Sequence, residues 1–418
     1  MKNKGSKIQP LKGFRDFLPE DMAIRQKVID TLREVFEAFG FVPLESPALE
    51  YSEVLLGKYG KEADKLVYSF KDQGKRDIGL RYDLTVPVSR ILAQYQNKII
   101  MPFKRYQIQP VWRAEKPQKG RYREFVQCDA DIFGVNSPLA DAEIIALIFQ
   151  GLKSLKLNNF QIKINSRQVL FELMAKANVP KEKQLRAIII LDKLPKKGKK
   201  LVEQELADFL SSDIARNIIK LISKANPDNY LQAVLDLLLK YNLPAGSWMF
   251  EPSLARGLDY YTGPIFETVI SNSAVGSITG GGRYDNLVSQ LGGPQLVAIG
   301  TTFGLDRIIE VIRKDNLWPD LPTAQTKVLI TVFLPGYLDQ SLKTVSRLRE
   351  KKINSEIYLE PNARLNKQLK YADKKGIPWV VILGPEEIKE KKILLKNMKT
   401  GDQEKVSLEK AIGKLSQN

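Results

Sequence analysis

Residues 112–134 hold the strongest candidates for chemistry, in the stretch WRAEKPQKGRYREFVQCDADIFG. A turn that contains proline and glycine is surrounded by three arginines, Arg113, Arg121 and Arg123. A strand-like run follows and carries polar residues at alternate positions, Gln127, Asp129 and Asp131. Guanidinium groups beside such a strand indicate a site for phosphate or carboxylate groups, which arginine binds through paired hydrogen bonds.

Strand alternation divides this run between two faces, because successive side chains of a strand point to opposite sides. In RYREFVQCDADIF, apolar or small residues occupy the even positions Val126, Cys128, Ala130 and Ile132. The polar residues fall at odd positions. A sheet face of this kind either meets solvent or lines a pocket, and this segment alone leaves both interpretations open.

A second segment, LRYDLTVP, repeats the pattern. As a strand it would place Arg81, Asp83 and Thr85 on one face and apolar residues on the other. An aspartate beside Thr85 and Gln127 would suit an ammonium group, which needs several acceptors around it. The alternative is an edge strand whose polar face serves solubility.

Two glycine-containing segments supply further arginines. SLARGLDYYTGPIFETV carries Arg256 and the paired tyrosines Tyr260 and Tyr261, and VAIGTTFGLDRIIEVI enters a helix bearing Arg307. Between them, SITGGGRYDNLVSQLGG predicts a tight glycine turn beneath a ligand, since glycine lets backbone approach closely. A phosphate loop is the weaker alternative, because the Lys-Ser/Thr ending of a P-loop is missing.

The chain offers arginines from separate segments without a nucleophile and base to accompany them. One cysteine and no histidine exclude a histidine-based triad and nearly every zinc site. This favours a substrate that brings its own nucleophile. A carboxylate, with a pKa of about 3 to 4, can attack a phosphate without a general base. Catalysis then reduces to alignment and charge neutralisation, and any metal would be a hard cation such as nucleotide-bound Mg²⁺.

The composition bounds the partners and the compartment. The chain has 65 basic and 48 acidic residues, a formal charge of +17, which favours a polyanionic partner over a merely solvated lysine surface. Cys128 is the only cysteine, as expected in a reducing cytoplasm. No apolar run reaches the length of a membrane span, and no apolar segment follows the basic start, so neither membrane insertion nor secretion is expected.

The elements that must position these residues follow a simple order. Helical periodicity covers Asp21 to Phe39 and ends at Gly40, an extended segment with two prolines follows, and strand-like runs then suggest an antiparallel sheet with helices on one side. Leucine- and lysine-rich helices interrupt it. Beyond the proline-containing link DNLWPDLPTAQT, the runs KVLITVFL, SEIYLE and PWVVILG predict a small α/β domain with 19 basic against 11 acidic residues from Thr326 onward.

These motifs together resemble the histidyl-tRNA synthetases, class II aminoacyl-tRNA synthetases, over essentially the whole chain. FGFVPLESPALE resembles class II motif 1, residues 112–134 resemble motif 2, and AIGTTFGLDRI resembles motif 3. LARGLDYYTGPIFE and GGGRYDNL resemble the two signatures of the histidine-specific family. The resemblance implies an α+β fold: a class II antiparallel sheet flanked by helices, a helical insertion and a C-terminal α/β anticodon-binding domain. The expected bounds are 1–167 and 246–318 for the catalytic core, 168–245 for the insertion and 325–418 for the anticodon-binding domain.

The resemblance also implies roles for individual residues. The residues expected to bind ATP are Arg113, Glu115, Arg121 and Arg307. Those expected to bind histidine are Asp83, Thr85, Arg113, Gln127, Asp131, Arg256, Tyr260, Tyr261 and Tyr284. The catalytic group among them is Arg113, Arg256 and Gln127. The implied substrates are L-histidine, ATP with Mg²⁺ and tRNA(His), and motif 1 implies a homodimer; metal ligands are not indicated.

Two departures from many bacterial members concern carboxylates. Residues 82–85 read YDLT where those members have Pro-Glu-Gly-Thr, and Asp131 replaces a glutamate. At both places the sequence resembles the archaeal and eukaryotic members, and the carboxylate is kept on a shorter side chain. The alternative functions are a catalytically idle paralogue that regulates histidine biosynthesis and a basic RNA-binding protein without catalysis.

Overall fold

A computed structural model describes residues 8–56, 66–117, 120–256, 260–271, 275–319, 321–322 and 325–417. Contacts between residues divide the chain into two compact units. The first comprises Met1–Asp16 and Lys27–Trp318, and the second comprises Phe17–Gln26 and Pro319–Asn418. Among the described residues, no helix is both long and apolar enough to cross a membrane.

The described helices fall into a first group before the link and a second group after it. The first group is α1 Pro19–Ala38, α2 Ser52–Leu55, α3 Thr85–Tyr95, α4 Pro138–Ser154, α5 Arg167–Lys176, α6 Lys181–Leu191, α7 Leu194–Lys197, α8 Lys199–Phe209, α9 Ser212–Ile222, α10 Asn229–Lys240 and α11 Leu305–Lys314. The second group is α12 Leu338–Glu350, α13 Leu365–Lys375, α14 Pro385–Lys389 and α15 Leu408–Gln417.

The strands form three sheets. The large sheet contains β1 Val42–Pro43, β5 Phe103–Trp112, β6 Glu124–Phe133, β7 Phe160–Ser166, β8 Trp248–Phe250, β9 Pro264–Ile270, β10 Thr279–Arg283 and β11 Ala298–Gly304. A small sheet contains β2 Leu49–Tyr51, β3 Tyr68–Lys71 and β4 Asp77–Leu80. The sheet of the second unit contains β12 Val328–Ile330, β13 Ser355–Ile357, β14 Trp379–Ile382, β15 Ile393–Asn397 and β16 Gln403–Val406.

The large sheet has the order β1-β5-β6-β11-β10-β9-β7-β8. Its six central strands are antiparallel, as predicted, while the edge pairs β1–β5 and β7–β8 are parallel. Helices cover the apolar face: the ring of Phe303 lies 5.6 Å from that of Phe36 in α1, and Gly151 of α4 lies against the same ring. The prediction of an α+β class II fold is confirmed.

The strand predicted for LRYDLTVP was wrong beyond its first residue, Leu80. β4 ends at Leu80 and α3 begins at Thr85. The carboxylate of Asp83 accepts a hydrogen bond from the amide of Val86 at 3.1 Å, which satisfies one of the free amides at the start of the helix. A proline in the first helical turn is tolerated for a related reason, since its missing amide needs no partner there.

The helical insertion leaves and re-enters the large sheet at adjacent strands. β7 precedes α5 and pairs in parallel with β8, which follows α10. The amphipathic helix α9 buries Ala215, Ile218 and Ile222 against neighbouring helices. Tyr230 of α10 donates a hydrogen bond to Asp141 of α4 at 2.7 Å. The exact domain bounds given above stay predictions.

The second unit has a five-stranded sheet of order β13-β12-β14-β15-β16. The three predicted strands are parallel neighbours. The sequence prediction missed β15, which pairs antiparallel with β14, and β16, which pairs antiparallel with β15. A turn joins these two: Asn397 accepts hydrogen bonds from the amides of Lys399 and Thr400, and Gly401 has φ of +81°. The link DNLWPDLPTAQT lies partly outside the described residues.

Candidate active site

A cavity of about 340 Å³ lies in the first unit at the junction of β6, β10, β11 and α11. It gathers the four arginines that were chosen from separate segments, Arg113, Arg121, Arg256 and Arg307. Glu115 and Gln127 also line it. Guanidinium groups from positions almost two hundred residues apart therefore face one space, as a polyphosphate site requires.

Arg113 stands directly after β5 and is held by the backbone around it. Its amide donates to the carbonyl of Arg123 at 2.8 Å, which closes the neck of the loop between β5 and β6. Its Nε donates to the carbonyl of Tyr82 at 3.1 Å, and its guanidinium lies 5.0 Å from the ring centre of Phe125. Arg113 is thereby held in the wall of the cavity.

Arg307 lies in the first turn of α11 and donates through Nη1 to the carbonyl of Ser277 at 2.7 Å. Burial lowers the pKa of its guanidinium, and repulsion from Arg121 and Arg113 lowers it further. Three mutually repelling cations in one cavity favour binding of an anion between them.

Arg256 lies against β10, and this explains the first of the three glycines, Gly280. A Cβ atom at Gly280 would lie 1.7 Å from Nη1 of Arg256, while that same nitrogen donates to the carbonyl of Phe266 at 3.0 Å. The glycines Gly280–Gly282 are strand residues, so the prediction of a tight turn was wrong. Glycine is needed here for close approach of a side chain and of a neighbouring strand.

Arg256 also has an unusual backbone. Its φ is +44°, in the left-handed region that residues with a Cβ rarely adopt. Backbone strain of this kind persists where the surrounding structure fixes it, and it is frequent at functional sites. The residues that follow, 257–259, lie outside the described part of the chain.

The polar face of the large sheet continues from the cavity along β6. Strand pairing places Gln127, Asp129 and Asp131 opposite three residues of β5, namely Gln109, Gln107 and Arg105. On the other side, β11 places Gly304, Thr302 and Gly300 opposite the same three. Directly paired residues share a face, so Gln127, Asp129 and Asp131 lie on one face of the sheet, as the alternation indicated.

Asp131 is buried between two partners. Nη2 of Arg105 lies 2.5 Å from Oδ2 of Asp131, and the hydroxyl of Tyr284 donates to Oδ1 at 2.5 Å. Burial raises the pKa of Asp131, and the charge of Arg105 opposes that rise. A Cβ at Gly300 would lie 1.7 Å from Oδ1, so only glycine leaves room for this carboxylate.

Arg105 is the residue that the sequence interpretation missed. It is fully buried, on the same face of β5 as Gln107 and Gln109. The alternation in FKRYQIQPVW could have revealed it, since Arg105, Gln107 and Gln109 occupy alternate positions at the centre of that run. Its charge compensates Asp131 from beneath the pocket.

The three predicted tyrosines form one cluster. The rings of Tyr260 and Tyr261 lie 4.4 Å apart, and the ring of Tyr260 meets that of Tyr284 edge-on at 5.7 Å. Tyr261 lies 5.8 Å from the guanidinium carbon of Arg256, so the cluster spans from Arg256 to Asp131. Its members combine apolar rings with hydroxyls, which suits a flat polar ring such as imidazole.

Asp83 and Thr85 stand at the start of α3, beside this cluster. Asp83 is buried, and its charge raises the pKa values of Tyr260 and Asp129, although burial is the main cause for both groups. Thr85 is half-buried. Of the residues expected to bind histidine, Arg113, Gln127 and Arg256 line the cavity, whereas Asp83, Thr85, Asp131 and the three tyrosines are not among its lining residues.

Asp129 also has a perturbed carboxyl group. Burial raises its pKa to about 7, Arg105 lowers it, and Asp131 raises it again. The sequence interpretation noted Asp129 on the polar face but gave it no role. A carboxylate of this kind marks a place where a cation would be stabilised.

The sequence interpretation also missed the contacts that hold the β5–β6 loop in place. The guanidinium of Arg15 lies 3.2 Å from the ring centre of Tyr122, and its Nη2 pairs with Oδ1 of Asp306 at 2.8 Å. The amide of Arg123 donates to the carbonyl of Gly13 at 2.9 Å. The segment before α1 thus holds the loop that carries Arg121 against the start of α11.

The residues described fit a nucleotide and offer little to a resident metal. No group of three or more cysteine, aspartate or glutamate residues with metal-binding geometry exists within the described ranges. Mg²⁺ in nucleotide sites is often held by one or two carboxylates and the phosphates themselves. Glu115 and Asp306 line the cavity, so carboxylates are present where a magnesium ion would accompany bound phosphates.

Sequence comparison agrees with this geometry. The family profile described as histidyl-tRNA synthetase matches residues 13–308, and the profile described as anticodon binding domain matches residues 327–418. The first match covers well over half of the chain. The chain belongs to the histidyl-tRNA synthetase family. Membership in this family implies use of ATP, histidine and tRNA as substrates.

Individual synthetases resemble it over nearly their whole length. The proteins named histidine–tRNA ligase from Cytophaga hutchinsonii and Clostridium tetani are 39% and 38% identical, with 97% and 99% of this chain and 98% and 99% of theirs aligned. The crystal structure of the histidyl-tRNA synthetase from Nostoc sp. PCC 7120 superposes with a TM-score of 0.87 at 29% identity, covering 98% of this chain and 99% of that one.

Proposed function

We propose that this histidine–tRNA ligase forms histidyl-adenylate in the cavity where Arg113, Arg121, Arg256 and Arg307 meet. The observation that carries the proposal is this convergence of four guanidiniums beside a buried polar sheet face. In the first step the histidine carboxylate attacks the α-phosphate of ATP, and pyrophosphate leaves. In the second step the terminal ribose hydroxyl of the tRNA attacks the adenylate carbonyl.

Each arginine would contact a different part of the nucleotide. Arg113 and Arg256 would stabilise charge on the α-phosphate as the carboxylate attacks, because fixed guanidiniums need no reorganisation during the reaction. Arg121 would contact the outer phosphates, and Arg307 would hold the nucleotide from α11. Glu115, on the same loop as Arg121, pairs with it at 3.8 Å and would orient it when the nucleotide is bound. Mg²⁺ bound together with ATP would neutralise part of the charge of the phosphates.

The pocket beside the cavity would hold histidine. Asp83, Thr85 and Gln127 would accept hydrogen bonds from the α-amino group. Asp131, Tyr261 and Tyr284 would surround the imidazole, with Tyr260 packed on them. A site built from buried polar groups strongly disfavours ligands that leave those groups without partners, so selectivity for histidine follows from the same contacts.

The second unit would recognise the anticodon region of tRNA(His). Its positive net charge suits an RNA surface, and the insertion would contact the acceptor arm. A homodimer formed through the motif 1 region and a cytoplasmic location complete the proposal. Neither rival function explains the site, since an idle regulatory paralogue and a non-catalytic RNA-binding protein have no use for four convergent arginines beside a histidine pocket.

The test is ATP–pyrophosphate exchange with the purified full-length chain. We expect exchange that depends on L-histidine and needs no tRNA, followed by transfer to tRNA(His) when it is added. Arg113→Ala and Arg256→Ala should each lower kcat for exchange by about a hundredfold or more, the usual effect of removing one transition-state donor. Exchange that does not depend on histidine, or that keeps its kcat in both variants, would refute the proposal.

A further inference from the structure

Two buried acceptor atoms flank the hydroxyl of Thr302 on the polar face. Nε2 of Gln127 donates to Oγ1 of Thr302 at 3.3 Å, and Thr302 also hydrogen-bonds to Asp129. Oε1 of Gln127 and Oδ1 of Asp129 have no hydrogen-bond partner among the described residues. Gln127 is 8% exposed and Asp129 is 4% exposed, so both oxygens need a donor from within the site.

The charges around Asp129 favour a cation. The strongest charge effects on it come from one guanidinium, Arg105, and from two other carboxyl groups, Asp131 and Asp83. Arg105 already forms a close ion pair with Asp131. Asp129 and Asp83 are neighbouring buried acids whose negative charges repel each other. A buried arrangement of this kind is stabilised when a cation enters between them.

We propose that Asp129 binds the α-ammonium group of histidine together with Gln127, and so helps to determine substrate specificity. This inference rests on the proposed function, and it adds a residue that had no assigned role in the sequence interpretation. An ammonium group offers three donors. The free oxygens of Gln127 and Asp129 supply two acceptors, and Thr302 fixes both side chains at one spot.

Asp129 and Asp131 occupy different positions along β6, so each would contact a different part of the substrate. Residues at alternate strand positions lie about 6.5 to 7 Å apart, a distance comparable to the span of a histidine molecule. Asp131, held by Arg105 and Tyr284, faces the tyrosine cluster and the ring. Asp129 lies between Asp131 and Gln127, at the amino end of the substrate. A shortened carboxylate at position 83 is thereby supplemented by a second carboxylate at position 129.

The decisive variant is Asp129→Asn, which keeps the shape of the side chain and removes its charge. We expect the KM for histidine in ATP–pyrophosphate exchange to rise by about tenfold or more, as for loss of a charge-assisted hydrogen bond, while the KM for ATP changes less than about twofold. Equal changes in both KM values, or no change in the histidine KM, would overturn the inference. Histidine-dependent exchange by the unsubstituted protein tests the proposed function separately.

Two competitive inhibitors identify which part of histidine Asp129 contacts. Histamine keeps the ring and the ammonium group, and imidazole propionate keeps the ring and lacks the ammonium. In Asp129→Asn the inhibition constant of histamine should rise by about tenfold while that of imidazole propionate stays nearly constant. Asp131→Asn is the matched control and should weaken both inhibitors. Equal weakening of both by Asp129→Asn would assign Asp129 to the ring and reject the inference.

A second variant covers the case in which Asp129→Asn does not fold. Thr302→Val has nearly the same volume and removes the hydroxyl that fixes Gln127 and Asp129. We expect it to raise the histidine KM several-fold, with a smaller effect on the KM for ATP, since one neutral hydrogen bond contributes about 1 kcal/mol. An unchanged histidine KM in Thr302→Val would count against the arrangement.

Discussion

Asp131 and Arg105 form a buried pair whose members depend on each other. The carboxylate is 3% exposed and the guanidinium is fully buried, so neither can exchange its partner for bulk water. Removing one partner of such a pair leaves an uncompensated charge, at a cost of about 3 to 5 kcal/mol. Any substitution at Asp131 therefore affects both stability and substrate binding, and the two effects need to be separated.

Asp131→Ala should raise the KM for histidine by about ten- to a hundredfold, because it removes a charge-assisted hydrogen bond to the substrate. The KM for ATP should change far less, since Asp131 faces the tyrosine cluster and not the four arginines. Exchange kinetics with each substrate varied in turn would measure both values. The double variant Arg105→Met with Asp131→Ala removes both charges and should recover stability without recovering the histidine KM. Parallel losses for histidine and ATP would contradict the assignment.

Asp129→Asn should also change the pH dependence of stability in the ligand-free protein. The pKa of Asp129 is about 7 in the folded chain against an ordinary value of 3.8, because burial and Asp131 outweigh Arg105. The folded state thus binds this proton more tightly than the unfolded state, and stability falls as pH rises from about 4 to 7. Asp83 adds to the same effect, and Thr302 opposes it.

Asparagine cannot ionise, so the variant escapes this loss. The free energy of unfolding of Asp129→Asn, relative to the unsubstituted protein, should increase by about 1 to 3 kcal/mol between pH 5 and pH 8, given about 1.4 kcal/mol per pKa unit. Urea unfolding at the two pH values would measure it. A difference that is constant or decreases with pH would show that Asp129 is ionised throughout.

At the scale of elements, β10 determines how closely Arg256 can approach the sheet. A Cβ added at each of its three glycines would meet a different neighbour. At Gly280 it would meet the Arg256 guanidinium, and at Gly281 the backbone of β11. At Gly282 it would meet Tyr261 and the carbonyl of Pro264. A side chain can move aside, whereas backbone of a central strand cannot. Neighbouring glycines of one strand should therefore differ in what they control.

Gly280→Ala should reduce activity, and Gly281→Ala should reduce stability. The first adds a Cβ 1.7 Å from Nη1 of Arg256 and displaces that guanidinium, so kcat should fall by about tenfold or more. The second adds a Cβ 2.0 Å from the carbonyl oxygen of Gly300, which should cost about 3 kcal/mol or more. Exchange rates and thermal melts would separate the two effects.

Gly413→Ala is the matched control for these variants. Nothing lies within 4 Å of a Cβ at Gly413, in α15 of the second unit. Alanine in a helix is favoured over glycine by about 0.5 to 1 kcal/mol, so this variant should be slightly more stable and fully active in exchange. Full kcat in Gly280→Ala would show that Arg256 does not act from the position seen here.

At the scale of the whole molecule, the two chemical steps should respond differently to salt. Exchange involves small ligands in a buried site, whereas aminoacylation requires a polyanion to bind a chain with a formal charge of +17. Binding that neutralises phosphates weakens steeply with salt, by orders of magnitude for many contacts. Raising salt from roughly 50 to 200 mM should increase the KM for tRNA by about tenfold or more and leave the histidine KM in exchange within about twofold. A KM for tRNA that is insensitive to salt would contradict an electrostatic RNA surface.

The sequence by itself determined the residue types of the site and the family. Period-two alternation located the polar face of β6. The motifs that carry Arg113, Arg256 and Arg307 are local sequence patterns that can be identified without a structure. It also separated the helical insertion and the small α/β domain, since both follow from local periodicity and composition. Turn chemistry was harder to interpret: the helix that Asp83 caps was predicted as strand.

Only the tertiary structure decided which residues meet. Arg105 lies on β5, and the pairing of β5 with β6 places it beside Asp131. The β10 glycines are needed because Arg256 and β11 approach them closely. Neither relation has a local signal, because side-chain contacts between distant segments depend on register and close packing. The unpartnered oxygens of Gln127 and Asp129, and the charge imbalance around them, likewise exist only after the sheet has assembled.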